Sequence, residues 1–293
     1  MEFRNLDQEK SFMKKEAKRL GITPMATYTT YYARKLLEKL ALINNGDLVV
    51  KGSFSQYVHL KELTRPVLDI DLSSTLSHHI PINILFAAIY DTFSNELTFD
   101  LSTTPRQTKN GVYKIPVVAK VKYEDAKEMV IPVPIDFKDN NKVIFETQFK
   151  AVEPLFEGDQ KFYINTPSFE EHIAEKLYII AHNTREDIPN TRVKDFYDIY
   201  KLKGGKYDKE KLSYFFYHML LDRHKIDISH ASVDHLNRQF ILQHQQLWDN
   251  MSKKYEFTDK SIVFEDAVET TKSMLDHELS NFDSSSKIKI KLY

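Results

Sequence analysis

Three aspartates in two short apolar segments are the residues of this sequence best suited to catalysis. Asp69 and Asp71 alternate with apolar residues in segment 67–72, and residues two apart in a strand share a face. Their carboxylates therefore repel each other unless a cation lies between them. Asp136 lies near the end of a second apolar segment, 130–137. Each motif alone also occurs as ordinary strand or turn chemistry, but together the three acids favour a divalent metal site for phosphoryl transfer.

A glycine–serine pair is the second candidate element. The apolar residues 48–50 predict a short strand, and Gly52 and Ser53 follow it at the predicted start of a helix that extends to about residue 60. Glycine lets the backbone approach a ligand closely, and the N–H groups at a helix start bind anions such as phosphate. A Gly-Ser turn alone is weak evidence, but here an acidic strand follows after one helix.

Further charged residues lie on predicted helices in the C-terminal half. Lys176 is at the margin of an apolar helix face. There it either extends its amine to solvent or points at a triphosphate as a point charge. Lys194 and Asp198 are one turn apart on the next helix, and an ordinary i,i+4 ion pair would also explain them. The residues alone leave these alternatives open.

A basic segment follows these helices. Lysine and aromatic side chains together suit single-stranded RNA, because bases stack on rings and phosphates meet lysine. A solvated helix face with an inward aromatic stripe is the alternative. The residues concerned are Lys201, Lys203, Lys206, Lys209 and Lys211, with Tyr207, Tyr214, Phe215 and Tyr217.

The patterns predict an α+β protein with two lobes. Residues 1–165 are expected to form a mixed-sheet α/β lobe with helices. Residues 166–293 are expected to form a helical lobe that contributes Lys176 and Asp198 to the cleft. Thr23-Pro24 predicts a helix start, Asn110-Gly111 a hairpin, and Ser168 with Glu171 a capping box. Strands are predicted at 48–50, 67–72, 97–99, 113–121 and 130–137, and a connector at 153–167.

The composition is that of a globular protein. The 293 residues include 41 Lys and Arg against 42 Asp and Glu, a formal net charge of −1, so any nucleic-acid contact must come from a local patch. The absence of cysteine excludes disulfide scaffolds, cysteine-bound zinc and thiol catalysis, and it fits a reducing compartment. No apolar run approaches the roughly 20 residues of a membrane span, and the N-terminus lacks a signal-peptide pattern. A cytoplasmic protein without membrane contact is expected.

The candidate motifs resemble those of a known superfamily. Gly52-Ser53, Asp69-x-Asp71 and Asp136 are similar to the three signatures of the polymerase-beta-like nucleotidyltransferases. The wider context resembles the AbiEii/AbiGii family of toxins from about residue 35 to about residue 250. The segments that carry this resemblance are 48–53, Arg65 with 69–71, 175–177 and 192–198, of which the last is the most family-specific.

This resemblance implies a nucleotidyltransferase fold for the N-terminal lobe and a role for each matching residue. It implies Mg²⁺ bound by Asp69, Asp71 and Asp136. The implied catalytic residues are Asp69, Asp71, Lys176 and Asp198, and the implied nucleotide-binding residues are Lys51, Gly52, Ser53, Arg65 and Lys194.

The resemblance also implies a function in a toxin–antitoxin system of abortive phage infection. A nucleotide from an NTP, with GTP and CTP among the candidates, would be transferred to an RNA acceptor at the 3′ end of tRNA. A cognate antitoxin would control the toxin without necessarily touching it. Three alternatives stay open: transfer to a protein hydroxyl, a metal-dependent nuclease, and a non-catalytic RNA- or partner-binding module. The last is disfavoured because Asp69, Asp71, Lys176 and Asp198 are all present.

Overall fold

The computed structural model describes residues 3–44, 46–74, 80–90, 97–109, 111–125, 127–138, 146–185, 192–224 and 233–285. The chain forms two compact units, one of residues 1–167 with 256–258 and one of residues 168–255 with 259–293. The first unit contains all the strands of the described residues, and the second is helical. The predicted α+β class is confirmed. The basic tail 287–291, whose alternation predicts a strand, lies outside the described residues.

The first unit contains helices as well as strands. Within the described residues the helices are α1 (Leu6–Leu20), α2 (Pro24–Ile43), α3 (Gly52–Leu60) and α4 (Ile80–Tyr90). α2 begins as predicted, because the Thr23 side chain accepts a hydrogen bond from the N–H of Ala26 and Pro24 occupies the first turn. The buried face of α2 includes Leu36, Leu37 and Leu40, which belong to the core of this unit.

The strands of the first unit form three sheets. The described strands are β1 (Leu48–Val50), β2 (Ile70–Ser74), β3 (Leu97–Leu101), β4 (Arg106–Gln107), β5 (Val112–Ile115), β6 (Val117–Lys122), β7 (Glu128–Pro132), β8 (Ile135–Lys138), β9 (Thr147–Val152) and β10 (Phe162–Pro167). A five-stranded sheet has the order β1-β2-β8-β5-β4, a three-stranded sheet the order β3-β6-β7, and β9 pairs with β10. In the five-stranded sheet β2 and β8 are parallel, and the other pairs are antiparallel.

A long bent ribbon links the two larger sheets, and it corrects the single strands predicted at 113–121 and 130–137. Pro116 separates β5 from β6, and Val133 and Pro134 separate β7 from β8. β5 pairs with β8 in the five-stranded sheet, whereas β6 pairs with β7 in the three-stranded sheet. Proline has no N–H to donate to a ladder, so the pairing passes from one sheet to the other at Pro116 and Pro134.

Two other strand boundaries differ from prediction, and one hairpin is confirmed. β2 begins at Ile70 instead of residue 67, so Asp69 precedes the strand. The segment 153–167 is not only a connector, because it contains β10, which forms an antiparallel hairpin with β9. The predicted hairpin at Gly111 joins β4 and β5, and Gly111 takes the left-handed φ of 76° that such turns need. Asn110 lies outside the described residues.

The second unit packs helices against one another. In the described residues they are α5 (Phe169–Arg185), α6 (Val193–Lys203), α7 (Lys209–His224), α8 (Arg238–Lys254) and α9 (Phe264–Ser285). Ser168 caps α5, since its Oγ accepts a hydrogen bond from the N–H of Glu171 at 3.2 Å. α6 ends at Lys203, immediately before Gly204-Gly205. Among the residues described, no helix combines the length and the apolarity that a membrane crossing requires.

Candidate active site

The three aspartates meet on one face of the five-stranded sheet. Asp71 in β2 and Asp136 in β8 are register partners in the parallel pair, so their side chains leave the sheet on the same side. Asp69 lies two residues before Asp71, immediately before β2. One carboxylate oxygen from each acid lies within 4.8 Å of the other two, and all three residues are partly exposed. The pairing of β2 with β8 therefore brings the acids of segment 67–72 together with Asp136.

The chemistry of this donor set fits a hard divalent cation. Carboxylate oxygens are the ligands that Mg²⁺ and similar ions prefer, and partly exposed acids leave coordination positions for phosphate or water. Like charges this close repel one another, and a cation between them removes that repulsion. The described residues contain this one group of acids and histidines with the spacing of a metal site.

Beside the acids, the turn from β1 into α3 has the properties of a phosphate cradle. The N–H of Lys51 donates to the carbonyl oxygen of Asp71 at 2.8 Å, which fixes the turn against β2. Gly52 has a φ of 62°, and a Cβ there would lie 2.8 Å from Cγ of Asp71, so the position requires glycine. Ser53 is buried, and its Oγ has no hydrogen-bond partner among the described residues. An unsatisfied hydroxyl at a helix start fits a phosphate ligand.

Two further cations of the first unit are Arg65 and Lys114. Arg65 is only 4% exposed, in the segment between α3 and β2, so it is a buried side chain. Lys114 in β5, which the sequence interpretation omitted, is the register partner of Asp136, and its Nζ contacts Oδ2 of Asp136. The pairing of β5 with β8 was hidden by the change of sheet at Pro116. One feature of the sequence could have indicated Lys114 as a candidate, because residues 102–123 contain five Lys and Arg and no acid.

In the second unit, Lys176 and Asp198 form part of a buried charged cluster. Nζ of Lys176 lies 2.6 Å from Asp198 and 3.3 Å from Asp195, and Nε of Arg192 lies 2.5 Å from Asp195. Lys176, Asp195 and Asp198 are buried. Burial raises the pKa of Asp195, but Lys176 and Arg192 outweigh it and hold the pKa below its ordinary value. Lys176 is thus not simply extended into solvent.

The remaining predicted cations of this unit lie nearer the surface. Nζ of Lys194 lies 4.6 Å from the centre of the Tyr255 ring, a cation–π contact. Asp198, the residue one turn after Lys194, forms its 2.6 Å ion pair with Lys176. In the basic segment the exposed members are Lys203, Lys206, Lys209 and Lys211, together with Tyr214, which is 43% exposed. Lys201 is partly buried and lies 3.7 Å from Asp259. Phe215 is buried and belongs to the inward stripe of the alternative interpretation.

The comparisons with known proteins agree with this chemistry. A family model described as "Nucleotidyl transferase AbiEii toxin, Type IV TA system" matches residues 36–270. That range is most of the chain and contains every candidate site residue from Lys51 to Asp198. The comparison with curated proteins gives no match.

Solved structures also resemble this chain, and two of them are examples. One is JHP933 from Helicobacter pylori, with 14% sequence identity and a TM-score of 0.42, covering 88% of this chain and 95% of that chain. The other is an antigenic nucleotidyltransferase-like protein from Paracoccidioides brasiliensis, with 15% identity and a TM-score of 0.37, covering 71% of this chain and 91% of that chain.

Proposed function

Because the chain belongs to the AbiEii nucleotidyl transferase toxin family, we propose that it transfers a nucleotide from an NTP to the 3′-terminal hydroxyl of an RNA, with tRNA as the acceptor. The observation that carries this proposal is the cluster of Asp69, Asp71 and Asp136, whose carboxylate oxygens lie within 4.8 Å of one another. A nucleotide added to the 3′ end of tRNA would block aminoacylation and stop growth, which accounts for a toxin.

The proposed reaction exchanges one phosphate ester for another. The oxygen of the acceptor hydroxyl forms a bond to the α-phosphorus of the NTP. The bond from that phosphorus to the bridging oxygen of the β-phosphate breaks, and pyrophosphate leaves with the electron pair. The proton of the hydroxyl passes to a carboxylate of the cluster or to water. Catalysis of this kind consists of positioning and charge stabilisation.

Residues of the first unit have separate roles in this reaction, in phosphate binding and in metal binding. The N–H groups at the start of α3 and the hydroxyl of Ser53 bind the phosphates, and Lys51 borders the same cradle. The acids Asp69, Asp71 and Asp136 would hold Mg²⁺, which supplies positive charge at the reacting phosphate and favours ionisation of the attacking hydroxyl. Asp136 is the acid assigned to the attacking side. The donor chemistry of the cluster and the buried, unpaired Ser53 hydroxyl support these assignments.

Residues of the second unit enter the proposal through their chemistry and the family resemblance. Lys176 is assigned to neutralise the triphosphate, and Asp198 to hold its amine, which is supported by their 2.6 Å ion pair. Arg65 and Lys194 are assigned to nucleotide binding on the resemblance alone. For the RNA acceptor, the exposed lysines between 203 and 211 and the exposed Tyr214 supply the charge and the stacking surface that RNA needs.

The family places the chain in a type IV toxin–antitoxin system. We assign GTP or CTP as the nucleotide donor and the cytoplasm as the place of reaction. We further propose that the system acts in abortive phage infection and that the antitoxin opposes the toxin without a stable complex.

Transfer of radiolabel tests this proposal. The purified protein is incubated with Mg²⁺ and each α-labelled NTP, together with total RNA or total protein. We expect label on RNA, at a mass one or more nucleotides above that of unmodified tRNA, and no label with Asp69→Ala. Label on protein alone would replace the RNA acceptor by a protein hydroxyl, and shortened RNA would indicate a nuclease. Transfer by Asp69→Ala at the wild-type rate would refute the proposed site.

A further inference from the structure

The row of charged residues on the five-stranded sheet continues beyond the acid cluster. Asp71 is the register partner of Asp136, Asp136 that of Lys114, and Lys114 that of Arg106. Register partners project from the same face of a sheet. From the middle of the sheet towards β4, the last strand in its order, the row therefore reads acid, acid, base, base.

Exposure rises along this row. The side chain of Asp136 is 20% exposed and that of Lys114 is 45% exposed. Arg106 is exposed. Nζ of Lys114 contacts Asp136, but an ammonium group has three donors. Its outward donors and the guanidinium of Arg106 are thus presented at the surface, beside the third acid.

The chain around these two residues is strongly basic. Residues 102–117 contain Arg106, Lys109 and Lys114 and no Asp or Glu, in a chain whose net charge is −1. A local excess of positive charge in a near-neutral protein is the mark of an anion-binding surface.

The direction of the proposed reaction gives this surface a role, and this step rests on the proposed function. Lys51 and Gly52 lie at the β1 side of Asp71, where the N–H of Lys51 binds the Asp71 carbonyl at 2.8 Å. The phosphates that leave are bound at that side. In phosphoryl transfer the attacking and leaving oxygens lie roughly in line through phosphorus, so the acceptor hydroxyl approaches from the opposite side of the row. That is the side of Asp136, Lys114 and Arg106.

We propose that Lys114 and Arg106 form a subsite for a phosphate of the acceptor strand, close to the hydroxyl that attacks. The acceptor class is therefore a polynucleotide, whose phosphodiester groups flank its terminal hydroxyl. Lys114 bridges this phosphate and Asp136, and Arg106 binds it with the planar fork that suits phosphate. Lys114 and Arg106 are binding and positioning residues, and Asp136 remains the acid at the reacting atoms.

Binding of RNA to variants tests the subsite. The probe is a 5′-fluorescein-labelled single-stranded RNA oligonucleotide with a free 3′-hydroxyl, titrated by anisotropy over a range of salt concentrations. We expect Arg106→Gln and Lys114→Met each to weaken binding by about three- to tenfold near 0.1 M salt. Each should also reduce the slope of log K against log salt by about 0.7, the value for one phosphate of a single strand. Lys122→Gln, an exposed cation of the other sheet, is the matched control and should leave the slope unchanged.

A modified probe locates the contact on the RNA. When the last three phosphates before the 3′ end are replaced by neutral methylphosphonates, wild type should lose at least as much affinity as Arg106→Gln loses with normal RNA, because the phosphate contacts both Arg106 and Lys114. Arg106→Gln should lose less than wild type with the modified probe, because the two changes remove the same interaction. Equal losses for wild type and Arg106→Gln would overturn the inference, as would a wild-type salt slope in Arg106→Gln.

Asp71→Asn separates this inference from the proposed function. Loss of nucleotide transfer by Asp71→Asn together with an unchanged slope in Arg106→Gln would overturn the subsite alone. Transfer that survives in Asp71→Asn would refute the proposed function, whatever the slopes. No binding of RNA by the wild-type protein would overturn both. Binding of a fluorescent NTP by Arg106→Gln should match wild type, and a parallel loss there would assign Arg106 to the nucleotide instead.

Discussion

The two charged clusters of this protein are built in opposite ways. In the first unit, three carboxylates of Asp69, Asp71 and Asp136 face one another at a partly exposed surface of a sheet. In the second unit, Lys176 and Arg192 alternate with Asp195 and Asp198, and Lys176 and the two acids are buried between α5 and α6. The first arrangement concentrates like charge, and the second pairs opposite charges.

This difference separates a cluster that a cation from solution would stabilise from one whose charges are already paired. Neighbouring carboxylates gain stability when a cation from solution binds them. Buried opposite charges stabilise one another, and removal of one partner leaves an uncompensated charge in the interior. Asp195 and Asp198 thus hold the Lys176 amine in place, whereas the pairing of β2 with β8 places Asp71 beside Asp136.

The largest expected effect is on stability, with a different outcome in the two clusters. Asp198→Asn should lower the free energy of unfolding by about 3–5 kcal/mol, because the Lys176 ammonium loses its nearest counterion in a buried position. Asp69→Asn should leave stability unchanged or raise it by up to about 1 kcal/mol, because it removes repulsion among partly exposed acids. Urea unfolding measures both variants.

The sequence contains a single tryptophan, Trp248, which is buried in α8 and so reports on the second unit. Its fluorescence should follow the loss in Asp198→Asn. A large destabilisation by Asp69→Asn, or none by Asp198→Asn, would reverse the comparison.

Acid titration should affect the first unit before the second. Burial lowers the pKa of His59 in α3 to about 4, although Nε2 donates a hydrogen bond to the carbonyl of Pro167 at 2.9 Å. The unfolded chain, with a histidine pKa near 6.5, binds the proton first. Stability therefore falls by about 3 kcal/mol as pH drops from about 7 to about 4. Asp195 has a lowered pKa, so its contribution is present above about pH 3.8 and is lost only at lower pH.

His59→Gln keeps a donor for the Pro167 carbonyl and removes the titration. Its unfolding free energy, followed by urea titration with circular dichroism, should vary less between pH 7 and pH 4 than that of wild type. Burial raises the pKa of Glu9, so protonation of this acid increases stability as pH falls, opposite to the effect of His59. The effect of His59 is therefore measured as the difference between His59→Gln and wild type. An identical pH dependence in His59→Gln and wild type would exclude His59 as the cause.

The smallest effect concerns the exposed cations of the second unit. Lys203→Gln with Lys206→Gln should weaken binding of the RNA oligonucleotide by about three- to tenfold near 0.1 M salt and flatten its salt dependence, without loss of stability. Lys10→Gln with Lys14→Gln, two exposed lysines of α1, removes the same charge elsewhere and should have no effect. Equal losses in the two double variants would show that the effect comes from the net charge of the protein and not from the basic segment.

Local patterns predicted the parts of the fold and site that depend on short-range rules. The helix start at Thr23, the hairpin at Gly111 and the cap at Ser168 each follow from the geometry of a few residues. The convergence of Asp71 with Asp136 could also be predicted, because both lie in apolar strands of one superfamily pattern and side chains alternate with a period of two.

The parts that were missed depend on which strands pair. The pairing of Lys114 with Asp136 requires the register of β5 against β8 and the change of sheet at Pro116, neither of which is encoded in a local period. β10 escaped prediction because polar residues and Pro167 end it, so its pattern is that of a loop. The contacts of Lys176 with Asp195 and Asp198 were likewise not specified, since helical spacing places a side chain on a face but does not name its partner.

The parallel pairing of β2 with β8 has a consequence for synthesis of the protein. It joins Asp71 to Asp136, which are 136 − 71 = 65 positions apart in the sequence. A growing polypeptide on the ribosome therefore carries the first two acids well before the third is made, and premature termination before residue 136 yields a product without the complete set. The cluster of three acids can therefore form only after β8 has been made and has paired with β2.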